Sequence, residues 1–327
     1  MNRTKAVLIR QVGGPEVLEL VDIDVREPRP DEVLVRQTAI GINLADVYQR
    51  ADAGGRHALQ LPAVPGMEGV GVIEEVGSAV KGYGVGDRVA VVAHPGAYAQ
   101  WRTVPARVLL RLGMGIPDEL AAAVTVKGMT AGYLVTLAHA VKPGQTIVVH
   151  AAAGGVGGLM CQWAKYLGAT VIGVVSTEAK VAIARKAGCD HVLVSTRHDV
   201  ASGVRNLFPS GVDVVYDGNG RDTFENSLHC LKNFGLLASF GQATGPVEPV
   251  DLALLAQLGS LAVSKPTFVT LLGDRNAFEN IAAELFRLVG NKTLVANISL
   301  TARLEDVQQV HRLLESRSTT GSIVLIP

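Results

Sequence analysis

The distribution of hydrophobic and polar positions gives this chain two successive patterns. Over the first third, residues 5–10, 18–24, 32–39, 69–76 and 88–93 alternate in polarity or concentrate β-branched side chains. Between them lie turn clusters such as Val12-Gly13-Gly14-Pro15, Pro28-Arg29-Pro30 and Gly84-Val85-Gly86-Asp87. Short strands bounded in this way predict a compact barrel-like module. Near residue 117 the pattern changes. Pro117-Asp118-Glu119 opens an alanine-rich helical stretch, residues 130–140 keep helical spacing, and Lys142-Pro143-Gly144 ends it.

Beyond that point strands and helices alternate, as in a parallel sheet covered by helices. Residues 146–149 form an apolar strand, and residues 157–167 a helix with Met160, Trp163, Ala164 and Leu167 on one face. A strand at 170–175, a helix at 179–187 and a strand at 191–194 follow. Further strands are expected at 212–216, 236–240 and 260–263. The tail reads as a mixture: a helix over 275–289, a strand near 297–300, a helix over 304–315 and a strand at 322–326.

Composition narrows the class. The 327 residues favour two domains at roughly 150 residues each. Lys plus Arg and Asp plus Glu both number 30, so no whole-chain field draws the protein to nucleic acid or an acidic membrane. With 48% hydrophobic and 18% charged residues the chain is expected to fold compactly. Cys161, Cys189 and Cys230 are too few and too scattered for a disulfide scaffold or zinc finger, and read as reduced thiols. Neither a signal-peptide core nor a run of ~18 apolar residues occurs, so a cytoplasmic protein is expected. Glycine stands out, at 36 residues.

Part of that glycine sits where chemistry is expected. His150-Ala-Ala-Ala-Gly154-Gly155-Val156-Gly157 lies between a buried strand and an amphipathic helix. Dinucleotide sites use glycine there for a tight turn, a close approach to pyrophosphate at the helix N-terminus, and close helix–strand packing. Against G-x-G-x-x-G the segment aligns as Ala152, Gly154 and Gly157, with the first glycine replaced. An acid about twenty residues on would bind the ribose hydroxyls of NAD. Here the second strand ends Val174-Val175-Ser176-Thr177, with Lys180 one turn later and only Glu178 nearby. Ser176, Lys180 and Ser195 suit a 2′-phosphate, which favours NADP.

Four motifs carry a resemblance: residues 43–50 (Asn43-Leu-Ala-Asp46-Val-Tyr48-Gln-Arg50), Pro65-Gly66-Met67-Glu68-Gly69-Val70-Gly71, the glycine-rich turn, and the ending Glu315-Ser-Arg317 to Gly321. In this order, over essentially the whole chain, they resemble the zinc-free NADPH:quinone oxidoreductases, the zeta-crystallin-like branch of the medium-chain dehydrogenase/reductase superfamily. The resemblance implies an α/β fold with a GroES-like β-barrel catalytic domain, residues 1–125 and 267–327, and an inserted Rossmann doubly wound parallel-sheet domain, residues 126–266. It also implies a homodimer. Zinc-dependent relatives carry Cys where Asn43 stands, His where Met67 stands, and four clustered cysteines after residue 90. None of these is present, and no His pair has H-x-x-x-H spacing, so no tetrahedral zinc ligand set is expected.

Without a metal, the acceptor should already be electrophilic, as a quinone is, and the protein should mainly orient rings and exclude water. By resemblance Asn43 and Tyr48 border nicotinamide and substrate. Tyr48 acts as a wall or a hydrogen-bond donor to the quinone oxygen. Asp46 and Arg50 belong to the same motif, where pairing between the two is the plain structural expectation. Thr130 matches a helix position near the nicotinamide ribose. Asn219, Phe240, Gly241 and Ser264 lie at strand ends that line cofactors in such sheets, and Val156 and Gly155 belong to the phosphate turn. Arg317 is expected to reach the cofactor phosphates. Two departures are a serine, Ser322, where a lysine often follows the glycine of the last motif, and Ser195 in place of a tyrosine common in the 2′-phosphate pocket. Reduction of enone or alkenal double bonds is an alternative use of the same hydride. A crystallin-like or RNA-binding role is a further alternative, disfavoured by the zero net charge.

Overall fold

A computed structural model describes residues 3–51, 57–113, 115–316 and 318–327. The chain forms two compact units, Met1–Val126 with Ala296–Pro327, and Lys127–Val295. The first contains β1 (Arg3–Leu8), β2 (Glu19–Asp24), β3 (Glu32–Gly41), α1 (Leu44–Ala51), β4 (Glu68–Val76), β5 (Arg88–Val91), β6 (Trp101–Pro105), β7 (Leu109–Arg111) and the start of α2 (Asp118–Tyr133). Strand β3 is its spine. It is buried along nearly all of its ten residues and pairs antiparallel with both β4 and β6. The strand is thus buried on both faces over most of its length, Glu32 and Gln37 included, so alternation of polarity does not mark its end at Gly41.

The second unit carries six strands: β8 (Thr146–Val149), β9 (Thr170–Val175), β10 (His191–Val194), β11 (Val212–Asp217), β12 (Leu231–Ser239) and β13 (Ala262–Ser264). Interleaved with them are α3 (Gly155–Tyr166), α4 (Val181–Lys186), α5 (Val200–Leu207), α6 (Phe224–His229) and α7 (Leu252–Gln257), followed by α8 (Phe268–Leu272) and α9 (Arg275–Gly290). All five pairings are parallel, in the order β10-β9-β8-β11-β12-β13. Counted from β8 this is 3-2-1-4-5-6, the doubly wound dinucleotide-binding order. Its reversal lies between β8 and β11, so the turn after β8 opens at the switch point where such sheets bind ligands. Val148, Ile172, Val174, Val204, Val215 and Leu237 make one face of its core.

The chain then returns to the first unit as β14 (Ile298–Arg303), α10 (Val307–Glu315) and β15 (Ser322–Ile326). Strand β15 pairs parallel with β14 and antiparallel with β3, giving the seven-stranded order β14-β15-β3-β4-β5-β7 with β6 also on β3. The return comes later than expected. It falls at Val295/Ala296 instead of residue 267, because α8 and α9 pack on the second unit. The Tyr133 and Phe268 rings meet edge to face at 6.1 Å, and Leu285, fully buried, lies against Gly128. Among the described residues one helical stretch, Asp118–Ala138, is long and apolar enough to cross a membrane, but 72% of its apolar 18-residue window is buried inside the protein.

If α9 completes the inserted unit, a fragment of residues 127–295 should unfold cooperatively in urea. One ending at residue 266 should lack that transition, because the apolar face of α2 would be uncovered. Circular dichroism melts of the two fragments check this.

Candidate functional site

In the first unit the candidate residues gather around the start of α1. Asn43 precedes the helix, and Asp46, three residues on, accepts from the Asn43 backbone N–H through Oδ2 at 2.9 Å. This is the reciprocal half of a capping box. The Asn43 side chain is thereby left for another partner: its Nδ2 donates to Glu68 Oε1 at 2.9 Å. Glu68, 1% exposed, also accepts from the Val126 backbone N–H through Oε2 at 2.8 Å. Gln49, buried one turn further along α1, accepts from the Gly66 N–H at 2.9 Å and donates toward Met67 Sδ. Residues 66–68 are therefore tied to α1 from both sides.

Asp46 itself is fully buried, and Tyr98 OH donates to its Oδ2 at 3.0 Å. The same hydroxyl lies 3.0 Å from His311 Nε2. A hydroxyl has one proton, which the carboxylate takes, so the network assigns the His311 proton to Nε2. His311 Nδ1 has no partner among the described residues. Burial, helped by nearby Arg50, pushes the His311 pKa down to about 3 from its ordinary 6.5. Burial and the Asp46 charge push the Tyr98 phenol well up. Both rings are neutral at pH 7.

The carboxylate that grips Arg50 is Glu315 rather than Asp46, correcting the expected pairing within the motif. Arg50 Nη2 and Nη1 meet Glu315 Oε1 and Oε2 at 2.6 and 3.1 Å, with the Arg50 side chain 2% exposed. Such two-pronged pairing fixes orientation as well as distance. It fastens α1 to α10, the helix running into the C-terminal motif. A second buried guanidinium, Arg102, is brought down to about 9 by burial, partly offset by Asp46 and Glu68. Tyr48 is half-buried and its ring lies 5.8 Å from that of His57.

In the second unit the glycine-rich turn follows β8. Ala151 takes a left-handed φ of +52°, so the strained position precedes Ala152, the residue aligned with the first glycine of the motif. Ala152 is instead buried and donates its N–H to Val174 O. The Gly154 N–H donates to Ala151 O at 2.8 Å, and α3 begins at Gly155 and Val156. A Cβ at Gly157 would sit 2.3 Å from Ala151 O, so this close approach of helix to turn requires glycine.

Across the switch point, Asp217 at the end of β11 organises the neighbouring loop. Its Oδ1 accepts from the Asn219 and Gly220 N–H groups at 2.8 and 3.2 Å, and its Oδ2 from Thr223 Oγ1 and Ser227 Oγ at 2.7 and 3.0 Å. His150 Nε2, 2.9 Å from Ser227 Oγ, links this cluster to β8. Phe240 and Gly241 both donate backbone N–H groups to Asp217 O, so Asn219, Phe240 and Gly241 share one strand-end region. Ser264 closes β13, with its buried Oγ lacking a partner among the described residues. Thr130 is half-buried on α2. At the tip of β9, Lys180 Nζ donates to Ser176 Oγ at 3.3 Å, and Ser195 follows β10 beside it. Burial lowers the Lys180 pKa. Arg317 lies outside the described residues. Among those described, no three His, Cys, Asp or Glu side chains gather into a metal-ligand group.

The backbone cradle at Gly154–Gly157 and the cationic, hydroxyl-lined tip of β9 fit a phosphorylated dinucleotide. Glu68 lies within a sequence motif, but nothing in the sequence alone marks its role. Nor does the sequence mark Gln49, Tyr98, His311 and Asp217 as partners, since only folding brings residues so distant in sequence together. Glu315 stands out only as part of the closing motif.

The His311 site predicts an acid-stability signature. Above pH 6.5 the ring is neutral folded and unfolded; as pH falls toward 3, the unfolded chain takes a proton that the folded site refuses. Stability is therefore lost over that window. His311→Gln should shallow the acid limb by up to one proton, about 1.4 kcal/mol per pH unit, in urea titrations between pH 6.5 and 4.

Comparison with known proteins agrees with this architecture. Residues 29–127 match the alcohol dehydrogenase GroES-like domain, and residues 155–287 the zinc-binding dehydrogenase domain. The chain is 42% identical to a quinone oxidoreductase of Pseudomonas aeruginosa over 99% of both chains. It is 40% identical to a 2-haloacrylate reductase of a Burkholderia species over 98% of both. A crystal structure of Escherichia coli quinone oxidoreductase complexed with NADPH superposes with a TM-score of 0.95 at 38% identity, covering 99% of this chain and all of that one. On these grounds the chain belongs to the quinone oxidoreductase family of the medium-chain dehydrogenase/reductase superfamily.

Proposed function

We propose that this chain is an NADPH-dependent quinone reductase that works without a metal. The observation that carries the reading is the tip of β9, where Ser176 and Lys180 stand bonded to one another and no acid occupies the position that would take ribose hydroxyls. When bound, the nicotinamide supplies a hydride. The protein's own groups bind, orient and exclude water.

Gly155, Val156 and Gly157 present backbone N–H groups at the start of α3 for the pyrophosphate, and Gly154, whose own N–H closes on Ala151 O, shapes the turn. Ser176, Lys180 and Ser195 hold the 2′-phosphate. Thr130, Asn219, Phe240, Gly241 and Ser264 line the nicotinamide half. On the substrate side, Glu68 holds the Asn43 amide by its nitrogen, which leaves Oδ1 as the end able to accept from a bound group. Tyr48 orients the acceptor ring, and its hydroxyl can donate to a developing oxyanion. Asp46 and Arg50 are positioning residues that fix α1 beneath these two side chains.

With Asn43 and Met67 where thiolate and imidazole ligands would be needed, catalytic zinc has no donor set. The chain works as a homodimer, for which the exposed edge strand β13, with Val263 36% exposed, offers a surface that could continue the sheet. Its three buried free cysteines suit the reducing cytoplasm.

A second reading, reduction of an activated carbon–carbon double bond, is favoured by the 40% identity to a 2-haloacrylate reductase. Both reactions deliver hydride to a conjugated acceptor.

Three outcomes follow. Steady-state assays with a panel of ortho-quinones, alkenals and 2-haloacrylates should give the highest kcat/KM for a quinone; turnover confined to the alkenes would establish the second reading. Lys180→Ala should cut the NADPH/NADH preference in kcat/KM by about tenfold, the loss of one charge-assisted contact. Gly157→Ala should weaken NADPH binding in fluorescence titration, because its Cβ would displace the Ala151 carbonyl.

A further inference from the structure

The tip of β9 holds more charge than the phosphate reading uses. Two elements converge there, β9 continuing into Ser176 and β10 continuing into Ser195 to Arg197. The Ser195 N–H donates to Val175 O at 2.9 Å, and Thr196 Oγ1 donates to Ser176 O at 2.9 Å. The turn is closed by the Arg197 N–H on Val194 O at 3.0 Å. These bonds carry Arg197 back across the tip, where its Nη1 lies 3.1 Å from Glu178 Oε2. Glu178 lies just past the position where a ribose-binding carboxylate would repel a 2′-phosphate, and Arg197 pairs with it.

We propose that Arg197, loosely paired with Glu178, is a second specificity-determining cation for the ribose 2′-phosphate. The inference rests on the NADPH reading and assigns it a residue outside Ser176, Lys180 and Ser195. Its physical basis is twofold. Both side chains of the Arg197–Glu178 pair are more than half exposed, 64% and 61%, so the pair is weak and readily shared with a third charge. A guanidinium has five N–H donors in a rigid fork, so contact through Nη1 leaves donors for phosphate oxygens. Lys180 and Arg197 against Glu178 leave the tip with one net positive charge, supplied locally in a chain whose formal net charge is zero. The loop after β10 thus takes over the role that the absent tyrosine at position 195 leaves open.

The test is equilibrium binding of 2′,5′-ADP and 5′-AMP to the full chain by isothermal titration calorimetry. Arg197→Ala should weaken 2′,5′-ADP about tenfold and leave 5′-AMP within about twofold, the signature of one lost charged contact to phosphate. Glu178→Gln, which removes the opposing charge and keeps Arg197, should tighten 2′,5′-ADP about twofold or more. An Arg197→Ala protein that binds 2′,5′-ADP as tightly as wild type, or loses both nucleotides equally, overturns the assignment of Arg197 while the NADPH reading stands. Wild type binding 5′-AMP as tightly as 2′,5′-ADP overturns that reading and this proposal with it.

Discussion

Glu68 is the point at which four elements of the first unit are held in register. It stands at the start of β4, takes the Asn43 amide from the start of α1 on one oxygen, and takes the Val126 N–H from α2 on the other. It packs against the end of β3, where Gly41 leaves room for it: a Cβ there would fall 2.3 Å from Glu68 Oε1 and 2.4 Å from Ala122 O. A carboxylate removed from water must have its oxygens satisfied by well-placed donors. The geometry of Asn43 is therefore a by-product of satisfying Glu68. Among the neighbouring buried groups Tyr98 serves Asp46 and Glu315 serves the two terminal nitrogens of Arg50, while Arg50 Nε has no partner among the described residues.

The second unit meets a different constraint, the close approach of backbone to backbone. Its parallel sheet ends β8, β9 and β11 at one side, with a glycine turn after the first, the Lys180–Ser176 contact at the second, and a loop folded on Asp217 at the third. The glycine excess seen in the composition has one structural cause here: at Gly157 the helix comes so near the turn that no side chain fits.

Much of this was legible in the sequence because it is local. The strands at Thr146–Val149, Thr170–Val175, His191–Val194 and Ser322–Ile326 fall where β-branched runs lie between turn residues. The glycine-rich turn announces itself by spacing. What was not legible is set by tertiary packing. Helix α1 is only eight residues long and buries Asp46, Gln49 and Arg50, so its buried residues are mostly polar and depend on partners far away in sequence. Helix α9 reads equally well as part of either unit, and its packing on α2 and α3, with Leu285 at Gly128, Ile281 at Gly132 and Arg287 on Tyr166, assigns it to the insert. Arg50 next to Asp46 in one motif suggested a pair, whereas Glu315 competes for it from the far end of the chain.

The discontinuous first unit also has a temporal side. Strand β3 is made well before one of its partners, β15. The insert between them has all of its strands in one continuous stretch and can fold as soon as it has left the ribosome. The earlier unit must wait with an open sheet edge and an ungripped Arg50 until Glu315 and β15 emerge. Its completion is thereby tied to synthesis through β15, and a chain stopped before that strand would carry a finished second unit and an unfinished first one.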